Sequence, residues 1–262
     1  MEQVPFSFMN IPFRSDKPRD SGITMMIDWG MGIQRQRDLL DIAAAYIDIA
    51  KIAVGLSGII PERVLKEKIR VYADYRVEAF IGGQFLEYGI YHQGLEIARR
   101  YFEEAKRLGY KYVEISDNNI EIPSEDKFEL IRMGREEFGL RILGEVGTKT
   151  QISSPEEMVE GIKGCLAAGA WKVFVEGAEF TDKRNGTLLS DVIEGVTKGV
   201  DINDVIFELP GRWISNVHGC GIHDMEVYLI DEFGPEVNIA NVAPDEVMEL
   251  ETLRTGVGVK LK

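Results

Sequence analysis

The sequence predicts a single-domain (β/α)8 barrel of the TIM type, and three observations predict it. Eight short apolar runs alternate with eight helical patterns, with no large linker between them. Alternation at that spacing implies parallel strands joined by crossover helices. The chain has 262 residues, and a barrel of this kind takes about 250 as one domain. No glycine-rich dinucleotide or phosphate-loop fingerprint follows the first apolar run, which disfavours an open nucleotide-binding sheet.

Residues 1–20, with Pro5, Pro12 and Pro18, read as an irregular arm, and residues 21–262 as the barrel. The first strand, 23–27, ends at Asp28-Trp29-Gly30, and a helix follows over 34–45. The second strand, 46–53, contains Lys51. An ammonium inside an apolar run is costly unless paired, with Glu87 or Glu114 as the candidate partners. Pro61 opens the helix 61–75 as a good first-turn residue. The third strand, 77–81, breaks at Gly82-Gly83 and is followed by Glu87. A long helix over 92–108 has Leu95, Ala98, Tyr101, Phe102 and Ala105 at helical spacing and stops at Gly109.

The fourth strand, 110–115, carries Glu114, with Ser116-Asp117 behind it and a helix over 125–138. The fifth, 141–144, runs into Glu145, Gly147 and Lys149. Ser154-Pro155-Glu156-Glu157 then has the cap, first-turn proline and third-position glutamate of a helix start. The sixth strand, 171–175, ends at Glu176-Gly177. A polar loop with Lys183 and Arg184 leads to a helix over 188–199. The seventh, 204–207, ends at Glu208, and residues 213–233 read as helix interrupted near Gly219 and Gly221. The eighth, 237–240, ends at Asn241, and the last helix covers 244–254.

Net charge is −14 and the pI about 4.8, which disfavours a nucleic-acid binder, because phosphate backbones call for a basic surface. Two cysteines without CxxC spacing fit a reducing cytoplasm. Residues 1–20 lack the apolar core of a signal peptide, and no apolar run reaches the roughly 18 residues of a membrane span. Neither cysteine sits in a triad context. His218, Cys220 and His223 match no common zinc spacing.

In a barrel of this class the active site lies at the C-terminal ends of the strands. Those ends supply Asp28, Lys51, Gly82, Gly83, Glu87, Glu114, Glu145, Lys149, Glu176, Glu208 and Asn241. Any one acid could be only a cap or a rim ion pair. Acids at nearly every strand end are harder to explain that way. Carboxylates sharing one mouth repel, and a hard divalent cation such as Mg²⁺ relieves this through oxygen ligands. A small anionic substrate could then be held by the cation, Lys51, Lys149 and the start of the last helix.

Several blocks together resemble the phosphosulfolactate synthase family over nearly the whole chain. They include Tyr46-Ile47-Asp48 with Lys51, Gly82-Gly83 with Glu87, and Glu114-Ile115-Ser116-Asp117. They continue with Glu145-Val146-Gly147 and Lys149, Val205-Ile206-Phe207-Glu208, Val237-Asn238-Ile239-Ala240-Asn241 and Leu250-Glu251-Thr252-Leu253-Arg254. The resemblance implies Mg²⁺-dependent addition of sulfite to phosphoenolpyruvate in coenzyme M biosynthesis, in a homo-oligomer with a trimer among its forms. It implies Lys149 as the general acid, with Glu145 tuning it and Lys51 also in the catalytic group. Glu87, Glu114, Glu176 and Glu208 are the candidate metal ligands. Asp28, Gly82, Gly83, Asn241 and Arg212 are the candidates for substrate binding.

Departures from the family pattern gather at the same end. The Gly-Trp-Gly-Thr-Ser run of relatives is here Ala53-Val54-Gly55-Leu56-Ser57, and a threonine is replaced by Gln84. Where relatives carry Glu-x-Arg-Glu-Ser-Gly, this chain has Glu176-Gly177-Ala178-Glu179-Phe180-Thr181, so an arginine is gone. Lys183, Arg184 or Arg212 could restore the charge. Trp29 stands where relatives carry a polar or basic residue. Three readings follow: a synthase with a rebuilt anion pocket, an enzyme with the same enolate-type chemistry on another small anion, or a non-catalytic barrel with a stress or assembly role.

Overall fold

Strands buried on both faces carry continuous apolar runs rather than alternating ones, and the chain supplies eight of them. In the computed structural model, which describes residues 5–12, 14–147, 153–182, 187–211 and 219–258, the side chains of Gly219 and Cys220 excepted, they form a closed parallel barrel in chain order. The strands are β1 Thr24–Asp28, β2 Ile49–Ile52, β3 Glu78–Ile81, β4 Tyr112–Ile115, β5 Arg141–Val146, β6 Lys172–Val175, β7 Val205–Glu208 and β8 Ile239–Val242. The helices are α1 Ile33–Ala43, α2 Glu62–Asp74, α3 Gln84–Gln93, α4 Ile97–Leu108, α5 Ser124–Glu136, α6 Pro155–Ala168, α7 Ser190–Thr197, α8 Gly219–Phe233 and α9 Val247–Arg254.

Side chains along a strand alternate between faces, and the two faces build two cores. Met26, Ala50, Ile52, Ala79, Ile81, Val113 and Ile115 face the helices in the larger one. Met25, Ile49, Phe80, Leu143, Phe174 and Ile206 fill the barrel interior, with Phe80 and Phe174 stacked at 5.8 Å. The next inward position on each strand, two residues on, is Ile27, Lys51, Gly82, Glu145, Glu176 or Glu208. An apolar plug thus lies beneath a polar layer.

Three elements differ from the sequence expectation. The helix expected over 92–108 is two: α3 starts earlier, and Gly94, at φ +84°, turns the chain before α4. α8 runs through Gly221 without interruption, since tertiary packing overrides the propensity of an isolated glycine. The last helix starts with a 3-10 turn, Pro244–Glu246, ahead of α9. At α6 the expected capping box is formed, Ser154 Oγ accepting from Glu157 N while Glu157 accepts from Ser154 N.

The arm is pinned under the barrel. Arg14 pairs with Glu236 at 3.1 Å and Glu251 at 2.8 Å, and Arg19 with Asp48 at 2.7 Å. No helix among the described residues is long and apolar enough to cross a membrane.

Candidate active site

Lys51 is the centre of the polar layer. Its stem leaves β2 inward, beside Gly82, whose missing side chain leaves room for it: a Cβ there would lie 3.5 Å from Lys51 Cδ and 3.3 Å from the Val54 nitrogen. The ammonium sits over the Phe174 ring at 4.9 Å. It pairs with Glu208 at 2.8 Å and Glu114 at 3.1 Å. Burial alone would discharge it. The charges of Glu114, Glu208 and Glu145 outweigh burial and hold its pKa above the ordinary lysine range, so Lys51 is a fixed positive charge and a poor proton donor.

Glu114, Glu145 and Glu208 are each buried, and one oxygen from each lies within 4.8 Å of the other two. Three carboxylates around one ammonium leave an excess of negative charge in a low-dielectric space. Glu145 also accepts from Asn118 Nδ2 at 2.5 Å, and the same amide reaches Glu176 at 3.4 Å. The amide oxygens of Asn118 and Asn241 are buried without a hydrogen-bond partner among the described residues, and such orphans call for a missing ligand, ion or water. All of these donors are hard oxygens, the set a divalent Mg²⁺-like cation takes. The donor set therefore fits a metal, which Glu114, Glu145 and Glu208 would hold.

Lys51, Glu114, Glu145 and Glu208 line a cavity of about 250 Å³ at the C-terminal mouth, together with Glu176, Gly83 and Asn241. Asn241 reaches it through an irregularity. Between Thr24 and Met26 on β1, β8 advances from Ile239 to Val242, one residue extra, and Asn241 takes φ +62°. A bulge of this kind re-aims a side chain, so Ala240 stays in the plug while Asn241 enters the mouth.

The remaining sequence candidates are placed elsewhere. Asp28 has the opposite parity to Ile27 and turns outward. Its Oδ1 accepts from the nitrogens of Gly30 and Met31, and its Oδ2 accepts from Tyr72 at 2.6 Å and pairs with Lys68 at 2.7 Å. It ties the β1 loop to α2 and is absent from the cavity lining. Glu87 is likewise buried away from the three glutamates. It accepts from Ser116 Oγ and from the nitrogens of Asn118 and Asn119, and so sets the loop after β4. Gly83 touches that loop: a Cβ would lie 2.8 Å from Ser116 Cβ. Gly147 has φ +98°, and a Cβ there would meet Glu179 at 2.9 Å and Glu176 at 3.1 Å. Lys149 and Arg212 lie outside the described residues, as do Lys183, Arg184 and His218.

Sequence reasoning missed Asn118 and Asn119, while Trp29 and Val54, named among the departures, form a wall of the cavity. Asn118 had a signal, since it directly follows Asp117 in the loop behind the fourth strand. Ala178, the position at which the resemblance implies an arginine, is buried, and nearby Phe180 packs on Phe207 at 5.7 Å. Cys165 is buried, and burial raises its thiol to about 11, which rules it out as a nucleophile at neutral pH.

The chain is 34% identical over 262 residues to phosphosulfolactate synthase of Methanothermobacter thermautotrophicus, covering 96% of this chain and 95% of that one. It is 23% identical to Protein HEAT-STRESS-ASSOCIATED 32 of Arabidopsis thaliana, covering 95% and 91%. Among solved structures it is similar in fold to a truncated 3-deoxy-D-arabino-heptulosonate 7-phosphate synthase from Thermotoga maritima, with a TM-score of 0.57, 12% identity, and coverage of 92% and 88%. The family model described as (2R)-phospho-3-sulfolactate synthase (ComA) matches residues 12–259, and the chain, with its barrel mouth of buried glutamates around a lysine, belongs to that enzyme family.

Proposed function

We infer that the protein adds sulfite to phosphoenolpyruvate, giving phosphosulfolactate, with Mg²⁺ held by Glu114, Glu145 and Glu208. The observation that carries this reading is the buried group of three carboxylates around Lys51 at the mouth of a barrel of this family. When bound, the metal supplies Lewis-acid stabilisation of negative charge on the substrate.

The reaction asks the chain for three things. Sulfite sulfur donates its lone pair to the methylene carbon, a C–S bond forms, and the π electrons of the double bond move to the neighbouring carbon and its carboxylate. Lys51 offers that charge a fixed positive neighbour, held charged by its own carboxylates. A proton must then reach the carbanionic carbon, and Lys149, four residues beyond Glu145 in the sequence, is the proposed donor. Asn241 and Lys51 bind the anionic groups. Asn118 keeps Glu145 and Glu176 at fixed spacing.

The test is incubation with phosphoenolpyruvate, sulfite and Mg²⁺, with products followed by mass spectrometry. Phosphosulfolactate should form and should disappear on chelation. Lys149→Ala should abolish turnover while leaving the circular dichroism spectrum unchanged. No product from the wild type with Mg²⁺ bound would move the search to other enol phosphates and 2-oxo acids. Near-normal turnover in Lys149→Ala would remove that lysine from the mechanism.

A further inference from the structure

At the end of the barrel opposite the glutamates, a cavity of about 240 Å³ opens between the arm, the starts of the strands and the end of α2. The chain as a whole has 44 acidic residues against 30 basic ones. Here the balance reverses, with Lys17, Arg19, Arg76 and Arg141 facing three acids. Two of those acids already have cations: Asp48 accepts from Arg19 and Glu78 from Lys111, each at 2.7 Å. Lys17, Arg76 and Arg141 have no carboxylate at ion-pair distance among the described residues. Lys17 donates to the carbonyls of Ala44 and Ile47. Arg141 donates to Tyr112 Oη at 2.8 Å and lies over the Trp171 ring at 4.9 Å.

Arg76 is the telling residue. It directly follows Tyr75, the C-cap of α2, with φ +58°. That position belongs by default to glycine, which alone adopts it without steric penalty. Its guanidinium makes no hydrogen bond among the described residues. A strained non-glycine residue with an uncommitted side chain on a cavity wall points to a role for that side chain. Lys17 adds a second sign. Burial lowers its pKa to about 8; Asp48 and Glu78 oppose the shift, while Arg19 and Arg76 add to it. An anion entering this space would stabilise the charged form of Lys17 against that burial.

We propose that this cavity binds a small dianion, a phosphate or a dicarboxylate, through Arg76, Arg141 and Lys17. The guanidinium forks suit planar or tetrahedral oxyanions, and the site is separate from the mouth and from the reaction proposed there.

The test is calorimetric titration of the full-length protein with inorganic phosphate and, in a second arm, succinate, at constant ionic strength against chloride. Saturable binding is expected, and Arg76→Gly and Arg141→Gln should each weaken it roughly ten-fold or more. Glycine is at home at φ +58°, so the melting midpoint of Arg76→Gly in chloride should not fall below wild type. At about pH 9 the binding heat should vary with the buffer's ionisation enthalpy, because Lys17 takes up a proton as the anion enters. Loss of both ligands in the variants identifies a general dianion site; loss of phosphate alone identifies a phosphate site. Unchanged affinity for both ligands in folded Arg76→Gly and Arg141→Gln, or no binding beyond the chloride control, overturns the proposal.

Discussion

Lys51 separates three carboxylates that would otherwise face one another in a space nearly closed to water. Replacing it with methionine keeps the stem's volume and removes the charge. Breaking a buried ion pair from one side costs about 3 kcal/mol or more, because the partner charge is left uncompensated. Lys51→Met should therefore lower the melting midpoint in EDTA, and Mg²⁺ should restore more of it than Mg²⁺ adds to wild type. An identical Mg²⁺ response in both proteins would argue against a cation site at Glu114, Glu145 and Glu208. The raised pKa of Lys51 gives no acid-side slope: its contribution is complete below the unfolded value near 10.4 and is lost only above that.

The α8–α9 pair carries a charge the mouth does not need. Glu226 on α8 is buried, and burial first, then Glu246 and Glu249, raises its pKa to about 8 against the pull of Arg254. Between the usual carboxylate value and about 8 the folded state therefore holds a proton that the unfolded state has released. Stability from this group is present below about pH 4.5 and declines as the pH rises to about 8. Glu226→Gln should flatten that part of the stability–pH curve and raise urea stability at pH 8; an unchanged slope would show that the group is solvated. Among these elements, α6 was the most legible, because its capping box is local. The break at Gly94 and the continuity through Gly221 were not, since each depends on what packs against the helix.

The closure of the barrel is set at its base. Asn238 accepts from Ile23 N at 2.9 Å and donates to Val205 O at 2.8 Å, joining β1, β7 and β8. Arg254 donates to Val237 O at 2.7 Å, and Arg14 bridges Glu236 and Glu251. Much of the C-terminal resemblance to the family thus lies in a seam, remote from the chemistry. Asn238→Leu leaves a buried amide and carbonyl unpaired and should cost roughly 3 kcal/mol in urea unfolding, with the mouth unchanged. A loss below about 1 kcal/mol would mean that the seam is held elsewhere.

The sequence by itself determined the barrel, because eight apolar runs and eight crossover patterns admit few parallel topologies. It also named Lys51, Glu114, Glu145, Glu176 and Glu208, since each stands in or at the end of an apolar run and that pattern is local. Tertiary structure alone decided that Lys51 pairs with Glu114 and Glu208 rather than Glu87, because pairing across the mouth depends on which strands close the ring. It turned Asp28 and Glu87 away to hold loops, one by strand parity and one by the new helix α3. A single inserted residue in β8 carried Asn241 into the mouth, a change of register that no local pattern of side chains announces.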